Sequence, residues 1–380
     1  MSSSQHGYVK DLLIQPQATR MGYNRLGRSG LKISKVILGA MSYGSRDWLK
    51  WVLEEDEALP LLEHAFKAGI NTWDTADLYS NGVSEEIIAK ALAVYNIPRE
   101  RVVIMTKCRF ATSAQGEPQL SVFAASINDG EMVNRAGLSR KHIFDAVQAS
   151  VKRLGTYIDV LQIQRMDPDV PREEIMKALN DVVELGLARY IGASSMPAWE
   201  FQALQNVAEK NGWHKFISMQ NYYNLLYREE EREMMPYCKD AGVGCVPVSP
   251  NSQVPTVSSC SCLLQWSPNA RGVLARPWNG LDENTSLRTQ HDQTLSRLYD
   301  RESEADKATV DMVEEVAKAR GLPMAVIATA WCLHKGVNPI IGLNSKERID
   351  EAVLAANITL TDDEVAKLES AYQPKSVTGY

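Results

Sequence analysis

The sequence predicts an α/β fold closed into a single (β/α)8 TIM barrel, and three observations carry that expectation. Short β-branched runs alternate along the chain with amphipathic segments of helical period. Eight such runs can be counted, the number of staves a closed parallel barrel needs. None is followed by a Gly-x-Gly-x-x-Gly turn, so the phosphate-binding fingerprint of a doubly wound dinucleotide domain is missing.

In chain order the runs are Lys35–Met41, Asn71–Ala76, Val102–Cys108, Asp159–Met166, Ala188–Ser195, Phe216–Asn221, Val243–Val248 and Asn338–Gly342. Helix-length segments lie between most of them. Ser84-Glu85-Glu86 opens one, and Ser139 caps another that runs to Leu154 and ends at Gly155. Glu173 to Gly186, Ala198 to Gly212 and Arg228 to Gly242 repeat the scheme. Two gaps exceed an ordinary connection, Arg109–Arg140 and Ser249–Leu322, and long loops at the carboxyl ends of barrel strands build substrate pockets. The first fits either a substrate cover, through Phe110, Phe123 and Met132, or a surface excursion.

Residues 1–20 read as a flexible tail and 21–380 as one barrel domain. Within it, 248–265 reads as an insertion: Val248-Ser-Pro-Asn and Trp266-Ser-Pro-Asn are near copies 18 positions apart, separated by a filler rich in Ser, Cys and Val. Removing it would join Pro247 to Trp266, as a translated intervening segment would require.

Composition narrows the function. The 380 residues are 44% hydrophobic and 23% charged, ordinary for a globular chain. Lys plus Arg number 41 against 47 Asp plus Glu, a net charge of −6 with no basic tail, which argues against a nucleic-acid partner. No apolar stretch approaches the ~20 residues of a membrane span, and the polar N-terminus lacks a secretory signal's features. The expectation is a cytoplasmic protein with no membrane partner. Six cysteines, at 108, 238, 245, 260, 262 and 332, show no paired CxxC spacing and read as thiols without metal or disulfide roles.

Three residues fall where barrel enzymes place catalytic groups. Asp74 ends the second run, Tyr79 follows in Asp-Thr-Ala-Asp-Leu-Tyr, and Lys107 ends the third in Met-Thr-Lys. A phenol with a pKa near 10 is a poor proton donor at neutral pH unless a cation lies beside it. Lys107, held by Asp74, would supply that cation for protonating an alkoxide formed when hydride reaches a carbonyl. Singly, these residues serve equally well as a cap, a rim aromatic and a strand-end charge.

Together they resemble the aldo-keto reductase family, whose tetrad reads Asp, Tyr, Lys and His. The likeness runs from Arg25-Leu-Gly-Arg-Ser-Gly through Asn338-Pro-Ile-Ile-Gly, by way of Trp73-Asp-Thr-Ala, Tyr190-Ile-Gly-Ala-Ser-Ser and Trp266-Ser-Pro-Asn-Ala-Arg-Gly. It is greatest to the fungal branch of aryl-alcohol dehydrogenases and mycotoxin-pathway reductases. The resemblance implies an oxidoreductase using NADPH/NADP on a small-molecule carbonyl substrate of secondary metabolism. It implies that Ser194, Ser195 and Gln220 hold the nicotinamide carboxamide, that Trp266 stacks on the ring, and that Ser267, Ala270 and Gly272 approach the pyrophosphate. Asn344 and Arg348, at a helix start, and Glu351 mark the adenine end, where a guanidinium suits a 2′-phosphate. The family's Asn after the Glu351 position is Ala352 here.

The departure lies in the fourth run. Where the family has His in Gln-Ile-His-Arg-x-Asp, this chain reads Gln162-Ile-Gln164-Arg-Met-Asp167. Gln164 offers an amide N–H to a carbonyl oxygen but cannot carry charge. Weak or narrow carbonyl reduction through Tyr79 is one expectation; a nucleotide-binding barrel with little turnover is the other.

Overall fold

The structure, a computed structural model, describes residues 21–113, 117, 120, 127–244, 263–280 and 303–378. An antiparallel hairpin comes first, β1 (Tyr23–Arg25) and β2 (Lys32–Ser34). Eight parallel staves follow: β3 (Ile37–Gly39), β4 (Thr72–Asp74), β5 (Val103–Cys108), β6 (Ile158–Gln164), β7 (Ala188–Ser194), β8 (Phe216–Tyr222), β9 (Leu263–Trp266) and β10 (Val337–Ile341). Each pairs with the next in chain order, and β10 returns to β3 to close the barrel.

Outside run α1 (Glu55–Lys67), α2 (Val83–Val94), α3 (Arg140–Leu154), α4 (Arg172–Glu184), α5 (Ala198–Asn211), α6 (Met234–Ala241), α7 (Glu304–Arg320), α8 (Met324–His334), α9 (Lys346–Ala355) and α10 (Asp362–Glu369). Their ends follow local chemistry. Ser139 Oγ accepts from the His142 N–H at 3.2 Å to start α3, and Gly155, at φ 65°, stops it. The α2 helix opens one residue before Ser84, with left-handed Gly82 at its cap.

Side chains alternate across each stave, and the register sorts them into layers inside the barrel. At the amino-terminal end Leu26 and Ile33 of the hairpin region pack with Ile37, Val103, Met105, Val160 and Ile340, a buried apolar plug worth roughly 1.5–3 kcal/mol per side chain. The hairpin turn presses so closely that a Cβ on Gly27 would meet Gly242 O, Gly244 N and Ile217 O at 2.9 Å, and Gly27 holds φ 60°. Above the plug, on the same inward parity, stand Lys107, Gln162, Ser218 and Gln220. Cα register sets Lys107 beside Gln162 and Gln164 beside Ser194.

Seven of the eight expected runs are staves, with ends moved by a few residues. The seventh differs. Val243 and Gly244 form a bend, the Gly244 N–H donating to Ile217 O at 3.0 Å, and 245–248 lie outside the described residues. The stave is instead Leu263–Trp266, with Trp266 registered against Tyr222 and Ile340. Residues 263–265 of the expected insertion are therefore barrel backbone, because an apolar run directly ahead of Trp266 supplies the extended chain that the gap between β8 and β10 requires. The tail 1–20 and residues 248–262 lie outside the described residues. The Ser249–Leu322 gap also contains α7, capped by Ser303 and stopped by Gly321, so it is not loop throughout.

Candidate active site

Lys107, near the end of β5, is the hub. Its Nζ donates to Asp74 Oδ1 at 2.5 Å, to Thr75 O at 2.9 Å and to the Tyr79 hydroxyl at 3.4 Å. The ammonium and the carboxylate are 1% and 2% exposed, so the pair is sealed inside the barrel. Asp74 is held from the other side as well: Oδ2 accepts from Gln162 Nε2 at 3.0 Å and from Gln220 Nε2 at 2.9 Å, and Gln220 Nε2 also donates to Gln162 Oε1 at 3.0 Å. A buried charge pair persists when its remaining lone pairs find donors, as here.

Tyr79 is presented by a strained elbow. Ser80, Asn81 and Gly82 carry φ values of 51°, 52° and 95° in succession. The turn is held by the Ser45 N–H on Ser80 Oγ at 3.0 Å and the Ser113 N–H on Asn81 Oδ1 at 3.0 Å. Gly44 leaves the room, since a Cβ there would lie 2.0 Å from Ser80 Oγ.

Burial pushes the Tyr79 phenol above its ordinary value; Lys107 and Arg271 pull it down without reversing the shift, and Asp74 raises it further. The expected lowering by the neighbouring cation is thus a partial offset, because desolvation outweighs it in the closed pocket. Burial opposes the charge on Lys107, yet Asp74 and Tyr79 outweigh it and the ammonium is strengthened. The arrangement holds a protonated phenol beside a fixed positive charge.

Gln164 occupies the inward position two residues above Gln162. Its Oε1 is sealed from solvent with no hydrogen-bond donor. Register places it beside Ser194, itself opposite Gln220. The Ser194 and Ser195 hydroxyls are 3.3 Å apart, and Trp266 Nε1 donates to Ser195 Oγ at 3.3 Å. Gln164, Ser194, Ser195, Gln220 and Trp266 therefore share one rim of the mouth. One face of Trp266 lies against Tyr222, with ring centroids 4.4 Å apart. Gln220 departs from expectation, because both acceptors of its Nε2 belong to the Asp74–Gln162 network.

The segment after Trp266 is a left-handed cradle: Ser267, Ala270, Arg271 and Gly272 have φ of 58°, 48°, 55° and 100°. Such runs make anion-binding concavities, which suits a pyrophosphate. The Ala270 and Gly272 amides already donate to Ser267 O and Asn269 O at 2.9 and 2.8 Å. The polar side chains of the cradle are those of Ser267, Asn269 and Arg271.

Farther out, Arg348 Nη1 donates to Asn344 Oδ1 at 2.5 Å, Ser345 caps α9, and Glu351 lies beside Arg348, its carboxyl raised by burial. Arg276, which the sequence reading passed over, faces the same corner: burial lowers its pKa and the Arg348 charge lowers it further. Two guanidiniums close together fit a phosphate. Also missed were Gln162, whose polar side chain inside an otherwise apolar run was the available signal, and Arg271, already inside the Trp266-Ser-Pro-Asn-Ala-Arg-Gly motif.

The Aldo/keto reductase family profile matches residues 35–254 and 263–373. The chain belongs to the aldo/keto reductase family. It is 58% identical over 359 residues to versiconal hemiacetal acetate reductase of Aspergillus parasiticus, covering 94% of this chain and 98% of the relative. It is 49% identical over 369 residues to a chain named as an aryl-alcohol dehydrogenase in Schizosaccharomyces pombe (94% and 97%), and 47% identical over 371 residues to an aldo-keto reductase of Alternaria alternata (96% and 95%). This aldo/keto reductase is an oxidoreductase, and its family and reductase relatives point to carbonyl reduction with a nicotinamide cofactor.

Proposed function

We propose that the protein reduces an aldehyde or ketone, aromatic or polyketide-derived, with NADPH, Tyr79 acting as general acid. The observation that carries the reading is the placement of Lys107 Nζ between Asp74 Oδ1 and the Tyr79 hydroxyl. When bound, the nicotinamide supplies hydride to the carbonyl carbon. Tyr79 holds the proton that the new alkoxide takes, Lys107 stabilises the phenolate left behind, and Asp74 fixes Lys107 with help from Gln162 and Gln220. Gln164 orients the carbonyl oxygen through its amide N–H. Such proton transfer contributes about 10²–10⁴ in rate.

The cradle at 267–272 and the Arg276–Arg348 corner support a phosphorylated dinucleotide: Ser267 and Arg271 at the pyrophosphate, with Ala270 and Gly272 shaping the turn that receives it, Asn344, Arg348, Glu351 and Arg276 at the adenine end, and Ser194, Ser195 and Trp266 at the nicotinamide. A small carbonyl compound is the partner. Among the described residues no single helix is long and apolar enough to cross a membrane, and Cys108, Cys238 and Cys332 are buried free thiols. These support assignment to the reducing cytoplasm. The profile's break at 255–262 supports an insertion within one barrel domain spanning 21–380.

The test follows NADPH oxidation on aromatic aldehydes by the wild type and Tyr79→Phe. Loss of about 10²–10⁴ in kcat with the nucleotide Kd kept supports the reading; equal rates overturn it. The unpartnered Gln164, standing where the family has His, favours a second reading, nucleotide binding with little turnover. Fluorescence quenching by NADPH without consumption of any carbonyl would select it.

A further inference from the structure

Two arginines flank Gln164 with no acidic partner. Arg109 follows β5 on the inward parity of Lys107, and the Cys108–Ile163 register places it next to Gln164. Arg165 follows Gln164 directly and takes a left-handed turn at φ 74°, its N–H donating to Ser194 O at 2.7 Å. Both are half-buried, and among the described residues neither guanidinium makes a salt bridge or a hydrogen bond. Arg109 Nε is sealed from solvent without an acceptor. Leaving such a donor buried and unpaired is costly, and more so on a charged group.

The carboxylate that acts on Arg109 does not neutralise the pair. Asp167 acts on Arg109 through space, but its oxygens accept from the Leu138 N–H at 2.7 Å and the Asp169 N–H at 3.2 Å. Arg109 and Arg165 are close enough that the charge of the first adds to burial in weakening the second. Two cations and one engaged anion leave a net positive charge at the mouth.

An aromatic wall joins this charge to the acid. The Arg109 guanidinium lies 5.1 Å from the Phe110 ring centre, Phe110 packs with Trp48, Trp51 and Leu78, and the Trp48 and Tyr79 rings are 6.2 Å apart. At about 3.3 Å of rise per residue, Arg109 sits roughly 7 Å up the stave from Lys107. That is the reach of a benzene ring carrying a substituent at each end.

We propose that the substrate is an anion: an aromatic carbonyl compound bearing a carboxylate that docks between Arg109 and Arg165 while its ring lies along Trp48 and Phe110. This rests on the carbonyl-reduction reading and names the substrate class of the same site. Paired guanidiniums match a carboxylate's two oxygens, and a charge-assisted contact satisfies the buried Nε.

The experiment compares 4-carboxybenzaldehyde with its methyl ester, methyl 4-formylbenzoate, in wild type, Arg109→Gln, Arg165→Gln and Arg109→Lys, with NADPH. The expected result is a kcat/KM ratio of acid to ester of tenfold or more in wild type, falling at least fivefold in either Gln variant and partly kept in Arg109→Lys. A wild-type ratio near one, or an unchanged ratio in both Gln variants, overturns the proposal. If neither aldehyde is reduced, the carbonyl-reduction reading fails by itself, and titration with benzoate decides the binding claim. Saturable quenching of tryptophan fluorescence in wild type and not in Arg109→Gln upholds it; no saturable quenching sinks it.

Discussion

Gln220 and Asp74, 146 positions apart, meet across the barrel through a 2.9 Å hydrogen bond from Nε2 to Oδ2. Family resemblance gives Gln220 to the nicotinamide carboxamide, whereas this contact ties it to the carboxylate that holds Lys107, and on the proposed function Gln220 positions that carboxylate. Gln220→Leu should lower stability by about 1–3 kcal/mol, by urea denaturation, and lower kcat while leaving KM for NADPH within a few-fold. A rise confined to that KM would return Gln220 to the cofactor.

The phenol of Tyr79 stands above its ordinary value because burial outweighs Lys107. As the proposed general acid Tyr79 is active when protonated, so a raised pKa keeps it loaded as pH rises. For carbonyl reduction, kcat/KM should stay flat from about pH 6 to 9 and fall only above the usual phenol range near 10. A limb falling near neutrality would show that cofactor binding reverses the balance between burial and Lys107.

Gln164 lacks the charge and the proton of the His it replaces. Gln164→His should raise kcat on aromatic aldehydes about tenfold, less than the roughly 10²–10³ assigned to a whole oxyanion donor because the Gln164 amide already supplies an N–H. Steady-state rates decide it. Unchanged or lower activity would mean that Gln164 is fitted to its substrate.

Asp77 is buried with Oδ1 lacking any donor, and burial, reinforced by Glu85, pushes its carboxyl well above the usual range. A folded-state pKa raised over the unfolded one gives stability that is full below the unfolded value, about 4, and is lost as pH climbs through the folded one. Asp77→Asn imitates the protonated form. It should shrink the drop in urea midpoint between pH 5 and pH 8 and leave the pH 5 value nearly unchanged.

Deleting 248–265 joins Pro247 to Trp266 and offers 245–247 to the stave now formed by 263–265. Trp266 would keep its register against Tyr222 and Ile340. The shortened protein should fold with an equal or higher Tm and bind NADPH at least as tightly. Loss of nucleotide binding would show that 248–265 belongs to the working site.

The staves were legible because β-branched runs and helix caps are local features, and Ser139 and Gly155 mark the ends of α3 by themselves. The Asp74, Tyr79 and Lys107 positions could be read for the same reason: strand-end residues share one mouth once the barrel is granted. The seventh stave was not legible, since Leu263-Leu-Gln-Trp sits between two Ser-Pro-Asn copies and reads as filler. The Gln162–Asp74–Gln220 network was hidden for another reason. It joins residues from three staves, and only barrel register, which no local pattern fixes, brings them together. The β1–β2 hairpin escaped because three-residue strands leave almost no periodicity.

That hairpin gives the vessel a stopper. With Leu26 and Ile33 wedged into one end, the dinucleotide and carbonyl of the proposed reaction would share the opposite doorway, and whichever settled deeper along the axis would arrive first and depart last.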